Sequence, residues 1–217
     1  MAAAIGAGVP INDEHAAAVV DIGGGTTNVA AIISGSIIAS RAERIGSSDI
    51  DLAIMVRLRR HRGLTIGVQT AERLKLELSS AIEPEDPGKT IDVRGRDVQT
   101  GSPGSVDITA GEVYAITLPI VRRVADEVRM LLADLSPEVA GDIFDRGLIL
   151  TGGGASLEGL PSYLQRELGL AARVADEPRF AIVRGLSQLY EEPLLLRRVA
   201  RTEPHPLIDT EATAFET

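Results

Sequence analysis

Cysteine and tryptophan are missing from the 217 residues, and aromatic side chains make up only 3% of them. Without thiols there is no disulfide framework and no thiolate metal site, a pattern that fits a reducing compartment. The three histidines, at 15, 61 and 205, lie too far apart for ligand spacing, which argues against a structural zinc site. No apolar run approaches the ~20 residues that span a bilayer. Residues 1–11 lack the basic stretch that opens a signal peptide, and read as the end of a small-residue helix stopped by Gly6, Gly8 and Pro10. Positive charge is also in deficit: 22 basic against 31 acidic residues leave a net charge of −9. That balance argues against a nucleic-acid backbone as the main partner. The basic run at 57–62 reads as a solvated helix face.

What is present is the composition of a globular chain, 44% hydrophobic and 24% charged, long enough for one large domain or two small ones. Leu, Ile, Val and Ala must build its core. Apolar runs at 16–21, 28–33 and 37–39 predict a β-meander with tight turns. Ser48 and Asp51 resemble a capping box, followed by a helix with Ile50, Ile54 and Leu58 on one face, ending at Gly63. Ala71, Leu74, Leu78 and Ile82 predict a second helix ending before Pro84. Residues 83–105, rich in Pro and Gly, predict exposed turns and short strands. Thr109 and Glu112 form a second capping box ahead of a long stripe from Val113 to Leu135, in which Pro119 marks a kink or a junction. A strand at 147–151 follows, then helices carrying Leu160, Leu164 and Leu168 and spanning about 181–190. From 191 the composition predicts a flexible tail. The pattern is α/β.

Two glycine runs, Gly23-Gly24-Gly25 and Gly152-Gly153-Gly154, each follow an apolar strand. Glycine lets backbone N–H groups close on an anion, and a helix N-terminus adds partial positive charge. Asp21 stands at a strand end, where a carboxylate can hold a hydrated Mg²⁺, and Thr26 and Thr27 add hydroxyls. Neither run is a Walker loop or a dinucleotide fingerprint. Taken one at a time, each run is more readily a tight turn, and Glu72 and Lys75 more readily a surface pair.

The stretches AAAIGAGVPI, VVDIGGGTTNVA, TIGVQTAERLKLELSSA and GLILTGGGASLEGL, in this order, resemble the bacterial actin homologues MreB and Mbl over residues 1 to about 190. The resemblance implies an actin-like ATPase lobe, a ribonuclease H-like mixed sheet flanked by helices, with a small inserted subdomain. On that template residues 1–15 are a first-lobe helix remnant, 16–62 and 106–175 the second-lobe core, 63–105 the insert, 176–190 a closing helix and 191–217 a tail. It implies ATP and Mg²⁺ as cofactors. Asp21 would hold the Mg²⁺ shell, and Gly23, Gly24, Gly25, Thr26 and Thr27 would form the second phosphate turn, with Asp21 and Thr26 in the catalytic roles. Glu72, Arg73, Leu74 and Lys75 would face the nucleoside, and Gly152, Gly153, Gly154, Ala155 and Ser156 would cradle it from the other side.

The family carries a first phosphate loop, a catalytic glutamate and a membrane-binding segment ahead of the position matching Met1, so the resemblance implies that these parts are not expected within this sequence. The resemblance therefore implies a nucleotide site with one wall and a weak or inactive independent ATPase. The family's Gly-Gly-Asp is here Gly46-Ser47-Ser48. Two functions stay open. One is a cytoplasmic, filament-forming cell-shape protein that associates with itself or with full-length MreB-type subunits and the cell-wall elongation machinery, without a membrane segment of its own. The other is a non-catalytic module that caps or modulates such filaments.

Overall fold

The computed structural model describes residues 1–202. The apolar runs become a five-stranded mixed sheet in the order β3-β2-β1-β7-β8. Strands β1 (Ala17–Ile22), β2 (Thr27–Ile33) and β3 (Ser36–Glu43) form the antiparallel meander. Strands β7 (Leu148–Thr151) and β8 (Ala172–Val174) run parallel to β1. β1 is central and buried on both faces, which is why it lacks a polar alternation.

Each face of this sheet has its own core. Ala18, Val20, Leu148 and Leu150 pack against α4 (Ala110–Ala133), α5 (Pro137–Arg146) and α6 (Leu160–Leu168) through Val124, Val128, Ile143, Leu160 and Tyr163. Ala17, Val19, Ile32 and Ile149 pack on the opposite side with Ile5 of α1 (Ala2–Gly6), Leu189 of α7 (Ala181–Glu191) and Val199 of α8 (Pro193–Thr202). α1 and α7 cross backbone to backbone. A Cβ on Gly6 would lie 1.7 Å from Ala181 O, and one on Gly185 1.9 Å from Ala2 O, so no larger residue fits at the crossing.

A second sheet, β4 (Leu64–Thr65), β5 (Thr90–Asp97) and β6 (Pro103–Thr109), carries a separate core with α2 (Ser47–Arg62), α3 (Val68–Leu78) and the start of α4. Ile50, Ile54 and Leu58 of α2 belong to this core. Thr109 caps α4 as the box predicts, with its Oγ1 accepting from Glu112 N, and the helix runs unbroken through Pro119.

Three boundaries differ from the sequence expectation. α2 is capped at Gly46, whose N–H donates to Asp49 Oδ2 at 2.7 Å, and not at Ser48. α3 stops at Leu78 because Ser79 turns extended and Ser80 bridges to Glu158, four residues before Ile82. The expected tail from 191 includes a helix, α8, that buries Val199; the remainder of that segment lies outside the described residues.

Candidate functional site

β1 and β7 are parallel neighbours with Asp21 paired to Thr151, so the two glycine runs leave the sheet side by side at its C-terminal edge. Open α/β sheets collect ligands at this edge. After β1 the chain turns back, with Gly23 N donating to Thr26 O at 2.8 Å. The carbonyls of Gly23 and Gly24 accept from Ser47 N at 3.0 Å and Ser48 N at 2.8 Å, which docks the first turn of α2 onto the glycine turn. Thr27 Oγ1 completes the joint by donating to Ile45 O at 2.8 Å.

After β7 the backbone takes φ +81° at Gly152, where a Cβ would sit 2.3 Å from Ile22 O. Only glycine meets both demands. A single 3₁₀ turn, Gly153–Ser156, follows and lies against the end of β1.

Beside these turns opens a cavity of about 750 Å³, the open solvent at its mouth included. Its lining includes Gly46, Ser47, Lys75, Ser79, Gly153, Gly154 and Ser156, with Ile22, Ile50, Val124 and Leu157 supplying apolar surface. Lys75 Nζ donates to Asp51 Oδ2 at 2.7 Å and to Ser47 O at 3.3 Å, fixing one positive charge in the lining.

Asp21 faces the other way. Its side chain, half-buried, lies on the α1–α7 side of the sheet and borders a second cavity with Val19, Asn28, Ala30 and Met1. Thr151 Oγ1 donates to Asp21 Oδ1 at 3.0 Å, so one carboxylate oxygen is already engaged. Among the described residues no three His, Cys, Asp or Glu side chains gather as a metal cage. A cation at Asp21 would draw the rest of its shell from water and from a ligand's own oxygens.

The residues expected from sequence thus divide. Lys75, Gly153, Gly154 and Ser156 line one cavity, while Asp21 stands at the adjoining strand end. Gly24, Gly25 and Thr26 are exposed beside it, outside the cavity lining, and Gly152 and Gly23 form the turns that join the walls. Glu72 and Arg73 point to solvent on α3, Arg73 pairing with Glu77 at 3.4 Å. Three of the expected residues have side chains turned into the protein interior. Leu74 is fully buried in the small unit's core, because the period of α3 turns it towards the second sheet. Thr27 is fully buried with its hydroxyl occupied by Ile45, so it is a structural staple. The Ala155 methyl belongs to the main core, and its N–H donates to Gly152 O.

Two residues escaped the sequence reading, Thr151, which holds Asp21, and Ser79 in the cavity lining, and Asp51, read there as a capping partner, instead holds Lys75. Thr151 adjoins the second glycine run, but nothing local shows that it faces a carboxylate 130 positions away.

Residues 1–198 match the family model described as MreB/Mbl protein. The chain belongs to the MreB/Mbl family. It is 41% identical over 185 residues to the cell shape-determining protein MreB of Escherichia coli K12, covering 85% of this chain and 53% of that protein. To the cell shape-determining protein Mbl of Bacillus subtilis 168 it is 36% identical over 183 residues, 84% of this chain and 55% of that one. This MreB/Mbl chain thus spans about half the length of the curated relatives it matches. Among solved structures, MreB5 of Spiroplasma citri bound to ADP superposes with a TM-score of 0.84 at 29% identity, over 90% of this chain and 59% of that one. The fold is actin-like. No described helix of this MreB/Mbl member is long and apolar enough to cross a membrane.

Proposed function

We propose that this chain binds an adenine nucleotide with Mg²⁺ at the end of β1 and β7 and serves in the actin-like filaments that determine cell shape. The observation that carries this reading is the in-register pair Asp21 and Thr151, from which two glycine turns lead to a cavity holding the Lys75 ammonium. The relative MreB5, crystallised with ADP and with AMPPNP, supports the same ligand class.

Each residue has a part in that reading. The Gly153–Ser156 turn and Lys75 bind and orient the nucleoside end. Thr26 and the exposed amide of Gly25 meet phosphate oxygens. Asp21, steadied by Thr151, holds the hydrated cation, whose bound charge neutralises the phosphates. Phosphoryl transfer depends on charge stabilisation in a closed site. Thr26 is exposed, and Asp21 offers one free oxygen, so hydrolysis by these residues alone is slow. The partners in this reading are copies of the chain or other MreB-type subunits, together with the cell-wall elongation machinery, in the cytoplasm.

The test is calorimetric titration of the full chain with ADP, with and without Mg²⁺. Saturable binding that weakens when the cation is removed is the expected result. No binding at millimolar ligand rejects the nucleotide reading for this chain.

A further inference from the structure

The α7 helix is apolar on two faces and buries one of them. Ala181, Gly185 and Leu189 are turned to α1 and the sheet. A second row, Phe180, Val183, Leu186 and Tyr190, recurs every three or four residues, so its members are surface neighbours. Leu194, at the start of α8, extends it. All five are exposed, from 54% at Leu186 to 87% at Tyr190. Single exposed apolar side chains are ordinary, but a contiguous row of them marks a surface that another segment covers.

The charge along these helices narrows the choice of cover. Residues 178–202 carry five arginines against two glutamates, in a protein of net charge −9. Residues 203–217, which lie outside the described residues, follow directly and have the complementary composition. They carry four acidic side chains, no lysine or arginine, and three large apolar residues, Leu207, Ile208 and Phe215. The lengths agree too. α8 has 10 residues and is about 15 Å long. The five residues from Thr202 to Leu207 span up to ~18 Å, enough to return along α8 to Leu194 and Tyr190. The eight from Leu207 to Phe215 span up to ~28 Å, and Phe180 lies only about 15 Å from Tyr190 along α7.

We propose that residues 203–217 dock on the α7–α8 row of their own chain. Leu207 and Ile208 cover Tyr190 and Leu194, Phe215 covers Val183 and Phe180, and the acidic side chains lie beside the arginines. Apolar contact supplies most of the affinity. The exposed charges add little to it but favour an acidic segment over a basic one. This inference is independent of the nucleotide reading.

The chain has no cysteine, so two introduced thiols report on one pair of positions. Ser187→Cys places one thiol on the exposed surface beside the row, and Thr213→Cys places the other in the segment. Both leave the apolar anchors intact. Oxidation of this full chain at micromolar concentration gives an intrachain disulfide. Adding Leu207→Ser, Ile208→Ser and Phe215→Ser slows its formation about ten-fold, because the segment is then only tethered. Equal rates with and without the anchors mean that tethering alone brings the thiols together, and overturn the proposal. A disulfide between two chains assigns the row to a second copy, and no disulfide leaves it to another occupant; either result overturns the proposal. A second readout needs no cysteine. The chain has three tyrosines and no tryptophan, so tyrosine fluorescence is observed directly. The three anchor substitutions raise its quenching by acrylamide, because Tyr190 loses its cover. Unchanged quenching overturns the docking.

Discussion

Lys75 Nζ lies 2.7 Å from Asp51 Oδ2, and the two side chains are only 11% and 8% exposed. The pair joins α3 to α2 and holds the ammonium in the cavity lining. Two charges withdrawn from water depend on each other, because losing either strands its partner in a medium of low dielectric. Asp51 is already stretched, since its Oδ1 is buried without a hydrogen bond.

Lys75→Met therefore destabilises the chain by about 3–5 kcal/mol. The double variant with Asp51→Asn recovers much of that loss, because the stranded carboxylate is gone. Urea unfolding of both singles and the double gives the coupling energy. Additive losses would show that the pair contributes nothing beyond its separate members.

Thr151 orients Asp21 through one charge-assisted hydrogen bond. Thr151→Val costs about 1–3 kcal/mol of stability. It also flattens the Mg²⁺ dependence of ADP affinity, whereas Thr151→Ser keeps that dependence. A Val variant with wild-type Mg²⁺ dependence would detach the hydroxyl from the cation role.

The crossing of α1 and α7 tolerates no side chain. Gly185→Leu forces a Cβ against Ala2 O and destabilises the chain by about 3 kcal/mol. Gly141 in α5 is the matched control: it is exposed and a Cβ there meets nothing within 4 Å. Gly141→Ala stabilises by roughly 1 kcal/mol through helix propensity alone. Thermal midpoints of the two variants should move in opposite directions.

Acid weakens the joint between α5 and β1. The Ala16 N–H, followed by His15, holds the Asp142 carboxyl below its ordinary value of 3.8. The Arg146 guanidinium and the His15 N–H do the same for Asp13. A carboxyl lowered in the folded state contributes stability that is complete above its ordinary value and is lost as pH falls through the lowered one. Asp142→Asn accordingly lowers the urea midpoint at pH 7, and its curve converges on wild type as pH falls below 3.8. A constant gap across that range would assign the effect to packing instead of titration.

Much of this molecule is local in origin and legible from the chain. The three apolar runs became β1, β2 and β3, because short apolar runs and the turn residues that bound them act over a few positions. The α4 cap was equally plain, since Thr109 and Glu112 meet within one turn. The α2 cap was not. Ser47 N and Ser48 N donate to Gly23 and Gly24 carbonyls more than twenty residues upstream, so the helix begins at Gly46 instead of at the hydroxyl that local rules favour.

The same division runs through the site. Sequence determined that two glycine turns, an aspartate and a lysine-bearing helix exist, because residue type and spacing carry that much. Only tertiary structure decided which of them meet. Helical periodicity separates Leu74 from Lys75 by about 100°, but the packing of the second sheet decides that Leu74 enters the core and Lys75 the cavity. Thr151 reaches Asp21 across 130 positions through the parallel register of β1 and β7, a contact that no local spacing encodes.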